Sequence, residues 1–219
     1  MKRARKESSE TSRFSSGVNL GGEVSLVQDK HKIYSQGEPA DTLFYIQKGG
    51  VSLTYRAQKR RPAVTAILGV GDLFGELCLA GYPLRMSTAI ALTPSSIRTI
   101  KKTNMLRLLH GKNGTSNELV AYLLSSVKKH RDHVAELLTS SAEQRLARIL
   151  LRLSHLNNKG RLIAQIPLVS QQILAEMVGT TRSRINFFMN RFRRKGFINY
   201  DGDDGLKVRQ SLRAVLRAR

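Results

Sequence analysis

The chain has a single cysteine, Cys78, in 219 residues. That excludes an intrachain disulfide and a four-cysteine zinc or iron–sulfur site, and it points to a reducing compartment, the cytoplasm. No apolar run is long. The longest, Ala63 to Val70, is bounded by Arg60, Arg61 and Asp72 and falls far short of the roughly 20 residues of a bilayer span, so no membrane partner is expected. The start, MKRARKESSETSRFSSG, is basic but has no apolar core segment. It is therefore read as a disordered arm, residues 1–18, and not as a secretory signal. Acidic residues are scarce: 16 Asp plus Glu stand against 37 Lys plus Arg, for a net charge of +21, which suits a polyanionic partner. No nucleophile–base pair or paired-carboxylate arrangement stands out, so no enzyme is expected. His130 and His133, at i and i+3, offer half a metal site without a cysteine or carboxylate cluster to complete it, so no metal is expected.

What is present is most specific from Ser170 to Phe197, SQQILAEMVGTTRSRINFFMNRFRRKGF. Ser170 is a natural N-cap, and Ile173, Leu174, Met177 and Val178 then form one apolar helical face. Gly179 stops that helix, because glycine takes the left-handed conformation without a Cβ penalty, and Thr180 or Thr181 caps the next. In the second helix Ile185, Phe188, Met189 and Phe192 face inward, which leaves Arg182, Ser183, Asn186, Asn190 and Arg193 outside. Ala175 supplies a small side chain where the two helices cross. This is a helix-turn-helix with a basic second helix, and double-stranded DNA is its expected partner. Arg182, Ser183 and Asn186 are the expected base readers, Arg182 suiting guanine and Asn186 adenine. Ser170, Gln171, Thr181, Arg184 and Lys195 are expected to touch phosphates. After it, GFINYDGDDGLKV reads as a β-hairpin wing with its turn at Asp201 to Gly205. It resembles a calcium loop but has no distal glutamate.

Between Lys32 and Ile100 the pattern becomes short β-forming segments punctuated by glycine: KIYSQG, TLFYIQKGG, VSLTYRA, AVTAILGVGD, STAIALT and SSIRTIKK. Gln58 to Pro62 looks like an exposed hairpin loop. The glycines at 69, 71 and 75 do not have the spacing of a dinucleotide fingerprint. A short helical turn near Phe74 to Leu77 would instead aim N–H groups at an anion, with Arg85 as a bidentate charge and Glu76 as acceptor for a sugar hydroxyl.

FGEL, then nine positions from Glu76 to Arg85, then RMST, is similar to the phosphate-binding cassette of cyclic-nucleotide-binding domains, as is GEPADTLFYIQKGGV before it. With the helix-turn-helix following in this order, the chain resembles the Crp/Fnr family of bacterial transcription regulators from about Lys32 onward. The resemblance implies an α+β fold: an N-terminal jelly-roll-like β-barrel of cyclic-nucleotide-binding type, a long dimerisation helix and a C-terminal winged helix-turn-helix. It implies that Gly75, Glu76 and Leu77 hold a ribose, and that Arg85 with groups at Met86 and Ser87 holds a cyclic phosphate. In the family's cyclic-AMP receptors a Thr-Ser pair recognises the purine. His130 and Arg131 fall at that position here, so cyclic GMP is as defensible an effector as cyclic AMP. RNA polymerase is the further partner the resemblance implies.

From Asn117 to Ser140, Val120, Leu123, Val127, Val134 and Leu137 follow a 3-4 repeat with His130 at the remaining seam position. This helix should pair with its own copy, as a homodimer reading half-sites about 34 Å apart requires. His130 is then either an effector contact or a polar register residue. The expected units are 1–18 arm, 19–112 barrel, 113–139 dimerisation helix and 140–219 DNA-binding domain. The expected function is an effector-gated, DNA-binding transcription regulator. Two alternatives stand: a ligand-independent regulator with the barrel as a dimerisation or partner-binding scaffold, and a sensor of haem or another small molecule, a haem drawing its ligands from His31, His110, His130, His133 or His155.

Overall fold

The β-forming segments build two four-stranded antiparallel sheets packed face to face, as their spacing predicts. The computed structural model describes residues 14, 20–57, 62–111, 114–156, 163–166, 170–200 and 205–217. The strands are β1 (Glu23–Val27), β2 (Lys32–Tyr34), β3 (Thr42–Lys48), β4 (Val51–Tyr55), β5 (Ala63–Leu68), β6 (Leu73–Phe74), β7 (Thr88–Ala91) and β8 (Ser95–Lys101). One sheet has the order β1-β8-β3-β6 and the other β2-β7-β4-β5, a barrel-like arrangement.

Strand β3 explains how the barrel acquires two distinct surroundings. Four consecutive residues, Leu43 to Ile46, are buried, because both faces of the strand are covered. Side chains alternate across a strand, so Phe44 and Ile46 join Tyr34, Phe74 and Ala89 between the sheets. Leu43 and Tyr45 join Met105, Leu119 and Tyr122 beneath the helices. Those helices are α1 (Lys102–His110) and α2 (Thr115–Thr139).

Helix α2 buries Thr115, Leu119 and Tyr122 against the barrel. Its other face carries Val120, Leu123, Val127, Val134 and Leu137, between 37% and 55% exposed, the unpartnered apolar stripe that the 3-4 repeat describes. His130 is exposed too, its Nδ1 2.8 Å from the carbonyl of Ser126.

Phe14 departs from the expected arm. It is 1% exposed, stands edge-on to Tyr122 at 6.2 Å, donates its N–H to Gly71 and accepts from the Tyr45 hydroxyl. A phenyl ring with an apolar seat within reach gains free energy by burial. The rest of residues 1–18 lies outside the described residues, as do 58–61 of the expected hairpin loop and 201–204 of the wing turn.

The C-terminal part comprises α3 (Ala142–Leu156), β9 (Ile163–Ile166), α4 (Gln171–Val178), α5 (Arg182–Arg194), β10 (Ile198–Tyr200), β11 (Leu206–Arg209) and α6 (Ala214–Arg217). Its sheet has the order β10-β11-β9, so the wing gains a third strand that the hairpin reading omits. Leu146, Leu150, Leu174, Val178, Ile185, Met189, Phe192 and Leu212 form its core. Ser141 and Gln144 cap α3 reciprocally, each accepting from the other's backbone N–H. No helix among the described residues is long and apolar enough to cross a membrane.

Candidate functional site

The cassette begins where β6 ends. Gly75, with φ of 76°, is the N-cap of a 3-10 turn over Glu76–Ala80. A Cβ at Gly75 would lie 2.7 Å from Nη1 of Arg85 and 3.3 Å from the Phe44 ring, so only glycine lets the turn close on the arginine. The backbone of Arg85 is fixed by the loop ahead of β3: its N–H donates to Glu38 and its carbonyl accepts from Gly37, each at 2.8 Å.

The Arg85 side chain is 6% exposed. Nη1 donates to the Thr42 carbonyl at 2.7 Å and to Gly75 at 3.4 Å, and Nη2 donates to Thr42 Oγ1 at 2.7 Å. The guanidinium lies 4.5 Å over the Tyr34 ring and 5.2 Å from that of Phe44. Its Nε is buried without a partner, and no carboxylate among the described residues lies within ion-pair distance. A desolvated cation without a counter-charge is costly to maintain, and an anion at Nε would relieve that cost.

Glu76 stands beside Arg85 in the cassette without pairing to it. Burial raises its carboxyl above the ordinary carboxylate range, while its own backbone N–H and the charge of His130 on α2 draw it back. Burial likewise raises the Tyr34 phenol, against a hydrogen bond from Ser87 and the charge of Arg85. Leu77 and Met86 are exposed, at 42% and 48%. The structure thus brings Gly75, Glu76, Arg85 and Ser87 together and sets His130 within electrostatic reach of Glu76; Arg131 is exposed on α2. Tyr34, Thr42 and Phe44 were missed as site residues. They sit in KIYSQG and TLFYIQKGG, which period-2 alternation marks as strands without saying which residues face Arg85.

Helix α2 grips the cassette directly. The Tyr122 hydroxyl accepts from Leu73 N at 2.8 Å and donates to Leu73 O at 3.0 Å, two residues before Gly75. Lys129 reaches Asp72 at 3.4 Å. At the far end of α2, Glu136 faces both Arg148 and Arg152 of α3, at 3.7 and 3.5 Å. Arg145 donates to Ser140 O at 2.7 Å and to Val178 O at 2.9 Å, which ties the end of α2 to the end of α4. His133 sits in this joint with a buried, unpartnered Nδ1, and burial and Arg152 lower its pKa.

The helix-turn-helix forms as its caps dictate. Ser170 Oγ accepts from Ile173 N, Gly179 takes φ of 70°, and Thr181 Oγ1 accepts from Arg184 N. Ala175 is buried at the crossing. Ser170, Thr181, Arg182, Ser183, Arg184, Asn186 and Lys195 are exposed, and Gln171 is half-buried. Asn186 Oδ1 accepts from Gln171 at 3.3 Å and from Asn190 at 3.2 Å. Arg184 lies over the Phe188 ring at 5.9 Å, and Phe187 is 56% exposed.

Two family profiles match along the chain: the cyclic nucleotide-binding domain over residues 25–112 and the Crp-like helix-turn-helix domain over residues 144–215. The chain is similar to a CRP-like cAMP-activated global transcriptional regulator of Mycobacterium tuberculosis, 26% identical over 86% of this chain and 85% of the relative. Over 36% of its length it is 33% identical to a cGMP-dependent protein kinase, egl-4 of Caenorhabditis briggsae, matching 11% of that protein. In fold it resembles FixK2 from Bradyrhizobium japonicum, with a TM-score of 0.76 and 19% identity over 90% of this chain and 96% of the other.

Proposed function

The chain belongs to the Crp/Fnr family of transcription regulators, a cyclic nucleotide-binding domain joined to a DNA-binding helix-turn-helix, and we propose that it works as a homodimer gated by a cyclic nucleotide. The observation that carries this reading is Arg85: a buried guanidinium, seated on two rings and a carbonyl, with its Nε unpartnered and no carboxylate within ion-pair distance among the described residues. The residues present suit the ligand. A bound cyclic nucleotide supplies one negative charge and a ribose hydroxyl. Arg85, with the groups at Met86 and Ser87, would hold the charge; Glu76, flanked by Gly75 and Leu77, would hold the hydroxyl. His130 and Arg131 would face the base, and an imidazole beside a guanidinium suits cyclic GMP as well as cyclic AMP.

Helix α2 is the transmission element. Tyr122 holds the Leu73 backbone, and Lys129 holds Asp72, so a shift of the cassette is a shift of α2. The stripe from Val120 to Leu137 would pair two copies and set the distance between their α5 helices. The effector must bind the DNA-competent arrangement more tightly than the other, since equal affinity shifts nothing. Arg182, Ser183 and Asn186 are assigned to bases, and Ser170, Gln171, Thr181, Arg184 and Lys195 to phosphates. The working units are the barrel at 19–112, the dimerisation helix at 113–139 and the DNA-binding domain at 140–219. RNA polymerase is the proposed downstream partner and the cytoplasm the proposed site of action.

Titration calorimetry and thermal melting with cyclic AMP and cyclic GMP, on wild type and Arg85→Ala, test the gating. Saturating nucleotide should stabilise wild type by about 2.7 kcal/mol at a hundredfold excess over Kd and leave the variant unmoved. If neither nucleotide stabilises wild type or changes its DNA affinity, gating fails and the barrel is a scaffold.

A further inference from the structure

Helix α5 turns one sector outward, opposite buried Ile185, Phe188, Met189 and Phe192. That sector carries Ser183, Asn186, Phe187 and Asn190, with Arg182 at its N-terminal edge. Its hydrogen-bonding character is set by the contacts Asn186 already makes. A side-chain amide has one oxygen with two lone pairs and two N–H donors. Both lone pairs of Asn186 Oδ1 are engaged, by Gln171 Nε2 and Asn190 Nδ2, which leaves only the NH2 group to offer. Arg182 is a donor as well. Bidentate recognition of adenine needs one donor and one acceptor from the same amide; guanine N7 and O6, or thymine O4, need donors alone.

Phe187 is the apolar counterpart. Its ring is 56% exposed on a helix whose other outward residues are polar or charged, and it is braced edge-on by Phe188 with centroids 5.7 Å apart. The apolar group that the major groove offers a ring is the C5 methyl of thymine.

Building on the assignment of α5 to DNA, we infer that this helix reads an acceptor edge beside a thymine methyl: Arg182 and the clamped Asn186 donate to guanine or thymine, and Phe187 packs on the methyl. Asn186 is therefore not an adenine reader while Gln171 and Asn190 hold it, which replaces the adenine assignment made from the sequence. Gln171 acquires a second role, as a positioning residue for Asn186.

The experiment starts by selecting duplexes from a random pool with the full-length protein. The consensus is then resynthesised with deoxyuridine in place of thymidine, one position at a time. Wild type should lose about fourfold in affinity at one thymine per half-site, the worth of a buried methyl. Phe187→Ala should be insensitive there, while Phe187→Leu, still apolar, keeps part of the loss; matched melting curves confirm that both variants are folded. At the position where Asn186→Ala relaxes preference, wild type should select guanine or thymine, and Gln171→Ala should move selection toward adenine. Adenine at that position in wild type, or a deoxyuridine effect that Phe187→Ala retains in full, overturns the inference while leaving DNA recognition intact. A pool with no enriched sequence overturns sequence-specific binding itself.

Discussion

Two arginines on this chain are assigned to anionic or electron-rich partners under opposite conditions. Arg85 is buried, with its guanidinium fixed by Thr42, Gly75, Tyr34 and Phe44 before any ligand arrives. Arg182 is exposed at the start of α5. Selectivity resides in different places in the two. In the barrel the chain has met the ordering cost in folding, and a partner must match a shape already set. At Arg182 the side chain orders on contact, and salt and partner sequence carry more of the outcome.

The largest effect is expected at Arg85. Arg85→Ala should weaken cyclic-nucleotide binding by on the order of 3 kcal/mol, more than a hundredfold, read by calorimetry, because it removes charge-assisted hydrogen bonds in a desolvated site. Arg182→Ala should cost about 1 to 3 kcal/mol on the selected operator and relax preference at one base pair; an equal loss on every sequence would make it a phosphate contact. Tyr122→Phe removes both bonds to Leu73. It should lower stability by about 1 kcal/mol in a denaturant melt and shrink the nucleotide-induced change in DNA affinity more than nucleotide affinity itself.

Glu76 gives the buried site a dependence on pH. Its carboxyl is raised above 4.5, chiefly by burial, so the folded chain holds that proton more tightly than the unfolded chain. Stability from this group is fully present below 4.5 and is lost as pH rises through the folded value. Glu76→Gln should therefore melt above wild type at neutral pH without ligand, with the gap closing in acid. The smallest effect belongs to the exposed surface: Lys195→Ala should reduce the slope of log K against log salt by about 1 and weaken all sequences alike.

The α-helical half of the molecule was more legible than the barrel site. Caps are local, so Ser170, Gly179 and Thr181 could be placed from neighbouring residues alone. Period-3.6 patterning separated Ile185, Phe188, Met189 and Phe192 from the outward residues in the same way. In the barrel, Glu76 and Arg85 were legible from the short turn between them, and Gly75 through resemblance, but Tyr34, Thr42 and Phe44 were not. They reach Arg85 through strand pairings distant in sequence, and β3, buried on both faces, gives a continuous apolar run that hides its own alternation. Phe14 was missed because one ring in a polar, basic stretch carries no periodicity. Strand β9 was missed because it pairs as a third strand with β11 and not through a hairpin.

Gly75 bears on how such a sensor could change its allegiance over evolutionary time. A side chain there would be strained at φ of 76° and would press Nη1 of Arg85 at 2.7 Å and the Phe44 ring at 3.3 Å, so substitution at this position disturbs the seat of the arginine. In the proposed reading, new ligand preferences would then arise at positions such as 130 and 131 on α2, both of which are exposed. The same helix carries the exposed apolar stripe proposed to pair two copies, so in that reading a lineage that retunes what it senses does so on the element that also governs its output.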